Sequence, residues 1–163
     1  MKKEHKELLL KDLCARLPYG VKVRVLVKRD EPSSVEVLTL NGYQGDSKWK
    51  LWIYDEKALA KYGYCGKGFY VDEVKPYLRP MSSMTEDEFV YFMGLRGRML
   101  KSHEIQSIMK ESFNMPLSIG IGTTLGSYSN KIDWLNKNHF DYRGLIEKNI
   151  AIKVTKDNNP YKE

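Results

Sequence analysis

The stretch Val74 to Phe89, VKPYLRPMSSMTEDEF, divides the chain. Before it, apolar residues alternate as in strands; after it, they recur at helical spacing. Pro76 and Pro80 each remove a backbone donor and fix φ, so no regular element is expected to run through them. Ser82, Ser83 and Thr85 then offer helix caps. Thr85 with Glu88 makes a capping box ahead of the apolar run Phe89, Tyr91, Phe92 and Met93. The stretch is too short and too apolar for a flexible tether, because Tyr77, Leu78, Met81 and Met84 can pack. It is therefore expected to be a rigid corner inside a single domain, 1–163. Helix plus sheet fill 1–73, the corner is 74–89, a helical half covers 90–155, and 156–163 is a frayed polar tail.

Upstream, Leu9, Leu10, Leu13 and Leu17 share one side of a helix over Glu4 to Leu17, with Cys14 beside them as a small core residue and Arg16 elsewhere. Pro18 and Gly20 end it. Val21, Val23, Val25 and Val27 then alternate with Lys22, Arg24, Leu26 and Lys28, the cleanest strand in the chain. A second strand is expected over Ser34 to Tyr43. Its parity shifts between Val35/Val37 and Leu38/Leu40, as a bulge or a strand buried on both faces would require. Lys48 to Tyr54 gives a third strand, and Phe69 to Val71 a fourth. The fold class is α+β: a small curled antiparallel sheet or SH3-like open barrel, with an N-terminal helix and a C-terminal helical portion.

Downstream, the helix after Thr85 is expected to break at Gly94 or Gly97, and Glu104 to Glu111 to be helical. Leu117 to Ser129 reads as a Gly/Ser/Thr-rich loop. Ser129 or Asn130 caps the next helix, Asp141 caps another over Tyr142 to Lys148, and Ile150, Ile152 and Val154 return as a short edge strand.

Composition bounds the function classes. Of 163 residues, 27 are Lys or Arg and 21 Asp or Glu, a net charge of +6 that permits an acidic partner without demanding one. Cys14 and Cys65 lack metal spacing and suit a reducing, cytoplasmic setting. No export signal is expected, because Lys11 and Asp12 break the apolar run Leu8 to Leu10, and without an apolar run of about 20 residues no membrane is expected. The run Gly120 to Ser127 lacks the Lys of a phosphate loop and the third Gly of a dinucleotide loop. His139 and Asp141 are spaced for acid–base work, but helix capping and a helix C-terminus account for both. No catalytic, cofactor-binding or metal-binding residue is expected.

The functional lead is a basic, aromatic-bearing sheet face. Lys22, Arg24 and Lys28 on one strand and Lys48, Lys50, Trp52 and Tyr54 on another would bind single-stranded nucleic acid by phosphate attraction and stacking, provided those strands lie together. Solvated residues that discourage edge pairing give the same pattern.

Three blocks, KELLLKDLCARLPYGVKV (Lys6 to Val23), VDEVKPYLRPMSSMTEDE (Val71 to Glu88) and IDWLNKNHFDYRGLIEKNIAI (Ile132 to Ile152), together resemble a family of short, uncharacterised proteins of gut bacteria and their prophages and phages. The resemblance covers about a third of the chain and leaves Gly94 to Ser129 unmatched. It implies a cytoplasmic accessory protein of mobile-element origin and no particular activity. Two functions follow as expectations. One is a non-enzymatic module that binds a protein partner or itself; the other is a nucleic-acid-binding accessory protein.

Overall fold

Helix α1 (Lys3–Arg16) opens the chain. The computed structural model describes residues 1–27, 34–40, 42–43, 50–53, 67–95, 100–113 and 125–162. Leu9 and Leu13 of α1 are fully buried. Pro18 turns the helix into a 3-10 turn over Leu17–Tyr19, and Gly20 closes it in the left-handed region at φ 61°, which glycine enters without a Cβ penalty. Two expectations for α1 need correction. Cys14 is exposed rather than packed, while Arg16 is fully buried together with Asp12. Apolar periodicity cannot register a charged pair that buries because each member neutralises the other.

The strands follow: β1 (Lys22–Val27), β2 (Ser34–Thr39), β3 (Gly42–Tyr43), β4 (Lys50–Ile53), β5 (Lys67–Tyr70), β6 (Val74–Leu78) and β7 (Ile152–Lys153). They form an open four-stranded sheet in the order β2-β1-β6-β7 and a three-stranded sheet in the order β3-β4-β5. The fold is α+β with an N-terminal helix, as expected. The four-stranded sheet is mixed, because β7 joins β6 in parallel. Neither expected cause of the parity shift after Ser34 holds. β2 pairs with β1 without a break from Ser34 to Thr39; Leu38 and Leu40 are the core-facing set while Val37 is 47% exposed, so the strand has no bulge and is not buried on both faces.

The chain folds as two compact units: Met1–Leu78 with Arg143–Glu163, and Arg79–Tyr142. The boundary falls inside the stretch that divides the sequence. In the first unit, both sheets and α1 share one core that includes Leu9, Leu13, Val23, Val25, Leu51 and Phe69. In the second, α2 (Glu86–Met93), α3 (Ser102–Phe113) and α4 (Leu125–Lys137) surround Met84, Phe89, Phe92, Leu135 and Phe140. Thr85 caps α2 through the expected box with Glu88, and Gly94 at φ 70° ends it. Helix α4 begins at Leu125, inside the expected loop and ahead of the expected Ser129 or Asn130 cap. Once Leu135 nucleates packing, lengthening the helix through Gly126 costs only about 1 kcal/mol of propensity. Tyr142 to Lys148 forms turns and no helix. Asn149 at φ 57° closes them, with Asn149 and Ile150 donating to Ile146 and Leu145 carbonyls.

Pro76 lies within β6, against expectation. Alternate residues of a strand aim their backbone groups at the same neighbour. Leu78 turns its carbonyl toward β7, where Val154 donates to it at 2.8 Å, so Pro76 aims its nitrogen the same way. Pairing with β7 starts only at Tyr77 and Ile152. The missing donor therefore faces a position with no ladder to break. On the other side, the β1–β6 ladder ends at Val23 and Pro76. There the Tyr161 hydroxyl accepts from the Lys22 amide at 3.1 Å and donates to the Tyr77 carbonyl at 2.8 Å, bridging the strands. The tail is tied down at Tyr161 and is not frayed there.

Candidate functional site

The four-stranded sheet has a core face and an outer face. Val23 and Val25 are fully buried on the first, so Lys22 and Arg24, of opposite parity, stand half-buried on the second. Register then fixes their neighbours. Arg24 is directly opposite Val37 of β2 on one side and Lys75 of β6 on the other. Lys22 is opposite Thr39, and its Nζ donates to Thr39 Oγ1 at 2.7 Å. Lys75 Nζ donates to Asn149 Oδ1 at 3.2 Å. Val37 is 47% exposed.

Like charges directly opposite one another in a sheet are unfavourable, yet Arg24 and Lys75 are so placed. Among the described residues, neither they nor Lys22 forms an ion pair with a carboxylate. Two acids of this unit are engaged elsewhere. Asp72 pairs with Lys6 at 2.7 Å, and that hydrogen bond holds its carboxyl below the usual range. Asp12 is taken by two arginines.

The described members of the sequence-predicted site fall on two sheets. Lys22 and Arg24 are on β1 in the four-stranded sheet, whereas Lys50 and Trp52 are on β4 in the three-stranded sheet. Lys28, Lys48 and Tyr54 lie outside the described residues. Lys75 and Val37 were missed. Lys75 was legible as the outward residue between buried Val74 and Pro76, had Pro76 been admitted to a strand.

Two other charged clusters are built for holding the chain. In the first unit, Arg16 donates to Asp12 Oδ2 through Nε at 2.7 Å and to Oδ1 through Nη2 at 3.0 Å; Arg143 Nη1 reaches Oδ1 at 2.7 Å. This ties α1 to the C-terminal return. In the second unit, Arg79 makes two 2.8 Å bonds to Glu88 and lies over the Phe140 ring, 4.2 Å from its centroid. Burial pushes the Glu88 carboxyl up, but the bonds from Arg79 and Thr85 outweigh it and leave the carboxyl lowered.

His139 and Asp141 belong to this second clasp. His139 is buried at φ 57° and closes α4, with Phe140 donating to the Leu135 carbonyl at 3.0 Å. The His139 carbonyl accepts from the Arg79 amide at 2.8 Å, and the Asp141 amide donates to the Arg79 carbonyl at 2.7 Å. Asp141 caps no helix; it and His139 hold Arg79 through backbone atoms. Among the described residues, no three His, Cys, Asp or Glu side chains group as a metal site. No helix among them is long and apolar enough to cross a membrane.

Comparisons with protein-family models, curated proteins and solved structures gave no match.

Proposed function

We propose that this chain is a non-enzymatic, cytoplasmic accessory protein that works by binding a protein partner, with the outer face of the four-stranded sheet as its binding surface. The row Val37–Arg24–Lys75 carries the reading. An opposed cation pair costs the isolated sheet stability, and an anionic group on a partner would remove that cost. An exposed valine beside the pair adds the mixed apolar and Arg-rich character of protein interfaces. The free, exposed Cys14 thiol suits a reducing compartment. The three-block resemblance supports mobile-element origin.

Nucleic acid is the second reading, favoured by the same three cations. Its aromatic component rests on Trp52 and Tyr54, which are not on this sheet's described strands.

An NMR titration of the full chain with polyglutamate, and separately with single-stranded DNA, tests the surface. Amide shifts concentrated at Lys22, Arg24, Val37 and Lys75, and weakening with salt, are expected. Shifts centred on the second unit, or none at low salt, would overturn the assignment.

A further inference from the structure

Resting on the surface just proposed, we infer that its partner is an extended protein segment that carries glutamates at alternate positions. Lys22 and Arg24 are two residues apart on β1, so their stems are about 6.6 Å apart along the strand. Alternate side chains of an extended peptide have the same spacing and all point one way. A segment lying along β1 would therefore present one carboxylate near Lys22 and the next near Arg24. Lys75 is one strand further over, about 4.8 Å away, and shares the second carboxylate.

Phosphates along an extended single strand would also meet these cations. The neighbours decide between the two. The side chain directly opposite Arg24 on β2 is aliphatic and 47% exposed. The aromatic side chain of this end of β6, Tyr77, is only 9% exposed and its carbonyl is bridged to Lys22 through Tyr161. Tyr77 therefore offers a base no open ring to stack on, and stacking is what makes single-stranded binding strong. A glutamate brings its own aliphatic stem to Val37 as well as its charge to Arg24.

The test uses the full chain and fluorescence anisotropy, with three labelled probes: a short peptide alternating Glu and Val, the same peptide with Gln for Glu, and a single-stranded oligonucleotide of matching charge. The Glu–Val peptide is expected to bind at low salt, and the Gln–Val peptide about tenfold more weakly or worse. The neutral double variant Arg24→Gln, Lys75→Gln should weaken the Glu–Val peptide by a similar factor, and Val37→Ser by about threefold. Val37→Ser should melt with the parent, since its side chain stands outside the core, and the double variant should melt at the parent's temperature or slightly above it, because the opposed cation pair is relieved. If the oligonucleotide binds through the same residues and the Glu–Val peptide does not, the inference fails while the binding face stands. If the peptide binds the double variant as well as the parent, both fail. If neither the Glu–Val peptide nor the oligonucleotide binds at low salt, the face itself is wrong.

Discussion

The first unit joins residues 12, 16 and 143 through an ion cluster in which Asp12 and Arg16 have no solvent contact. The second joins residue 79 to residue 88 through side chains that keep about a quarter of their surface in water, and to residues 139 and 141 through backbone atoms. Both use an arginine held by a carboxylate in two-point geometry. They differ in depth. Removing one partner from the buried cluster strands a charge that water cannot reach, whereas removing one from the second leaves groups that water can hydrate. Depth therefore decides how much each clasp is worth.

The largest effect should come from Asp12→Ala. It leaves Arg16 buried and Arg143 without its acceptor. A loss of about 3–5 kcal/mol is expected in urea unfolding. The comparison sharpens with Asp12→Leu combined with Arg16→Met, which replaces the pair by apolar groups. That double variant should recover most of the loss, with Arg143 turning outward from its 17% exposed position. If the double variant is as unstable as Asp12→Ala, the cluster is supplying more than local neutrality and the argument from depth breaks.

The second clasp should lose less. Glu88→Gln removes the charge on the acceptor of Arg79 and of the Thr85 amide, and about 1–2 kcal/mol is expected. The pH dependence has a definite sign. Glu88 titrates lower in the folded chain than unfolded. Its contribution is complete above the ordinary glutamate range near about 4.3 and is lost as pH falls through the lowered folded value. Parent and Glu88→Gln stabilities should therefore converge as pH drops below that range. A gap that stays constant into strong acid would mean that packing, not charge, is being measured.

Smaller still is the Tyr161 bridge. Tyr161→Phe keeps the ring and deletes both hydrogen bonds, leaving the Lys22 amide and Tyr77 carbonyl to find water. About 1 kcal/mol is expected, together with faster hydrogen exchange at Lys22. Burial raises the pKa of this phenol well above its usual value. Its contribution is thus present below the unfolded value near about 10 and is lost as pH rises toward the folded one. The parent should accordingly lose an alkaline stability increment that Tyr161→Phe never had.

These sites also mark where sequence reading works and where it stops. Val21, Val23 and Val25 announce β1 because period-two burial is a local property of the chain. Thr85 and Glu88 announce α2 because the box closes within four residues. Asp12–Arg143 spans 131 positions and the Tyr161–Lys22 contact 139; nothing local signals either. Pro76 was legible as a breaker only because its neighbours in space were unknown. The functional face suffered most. Lys22 and Arg24 were visible, but their true neighbours, Val37 and Lys75, depend on strand order, which periodicity does not encode.

Cys14 gives the smallest predicted effect and tests the same limit. It follows buried Leu13 and precedes Arg16 by two positions, so an apolar reading of α1 places it inside. In the structure it is exposed, although enough of its surroundings are protein for desolvation to push the thiol up. Cys14→Ser should therefore change stability by no more than about 0.5 kcal/mol. In a Cys65→Ser background, the native thiol should react with a disulfide reagent without unfolding, slowly at neutral pH and faster as pH rises toward formation of the thiolate. A loss above about 1 kcal/mol, or protection until global unfolding, would place Cys14 in the core and remove one of the differences between helical periodicity and the folded chain.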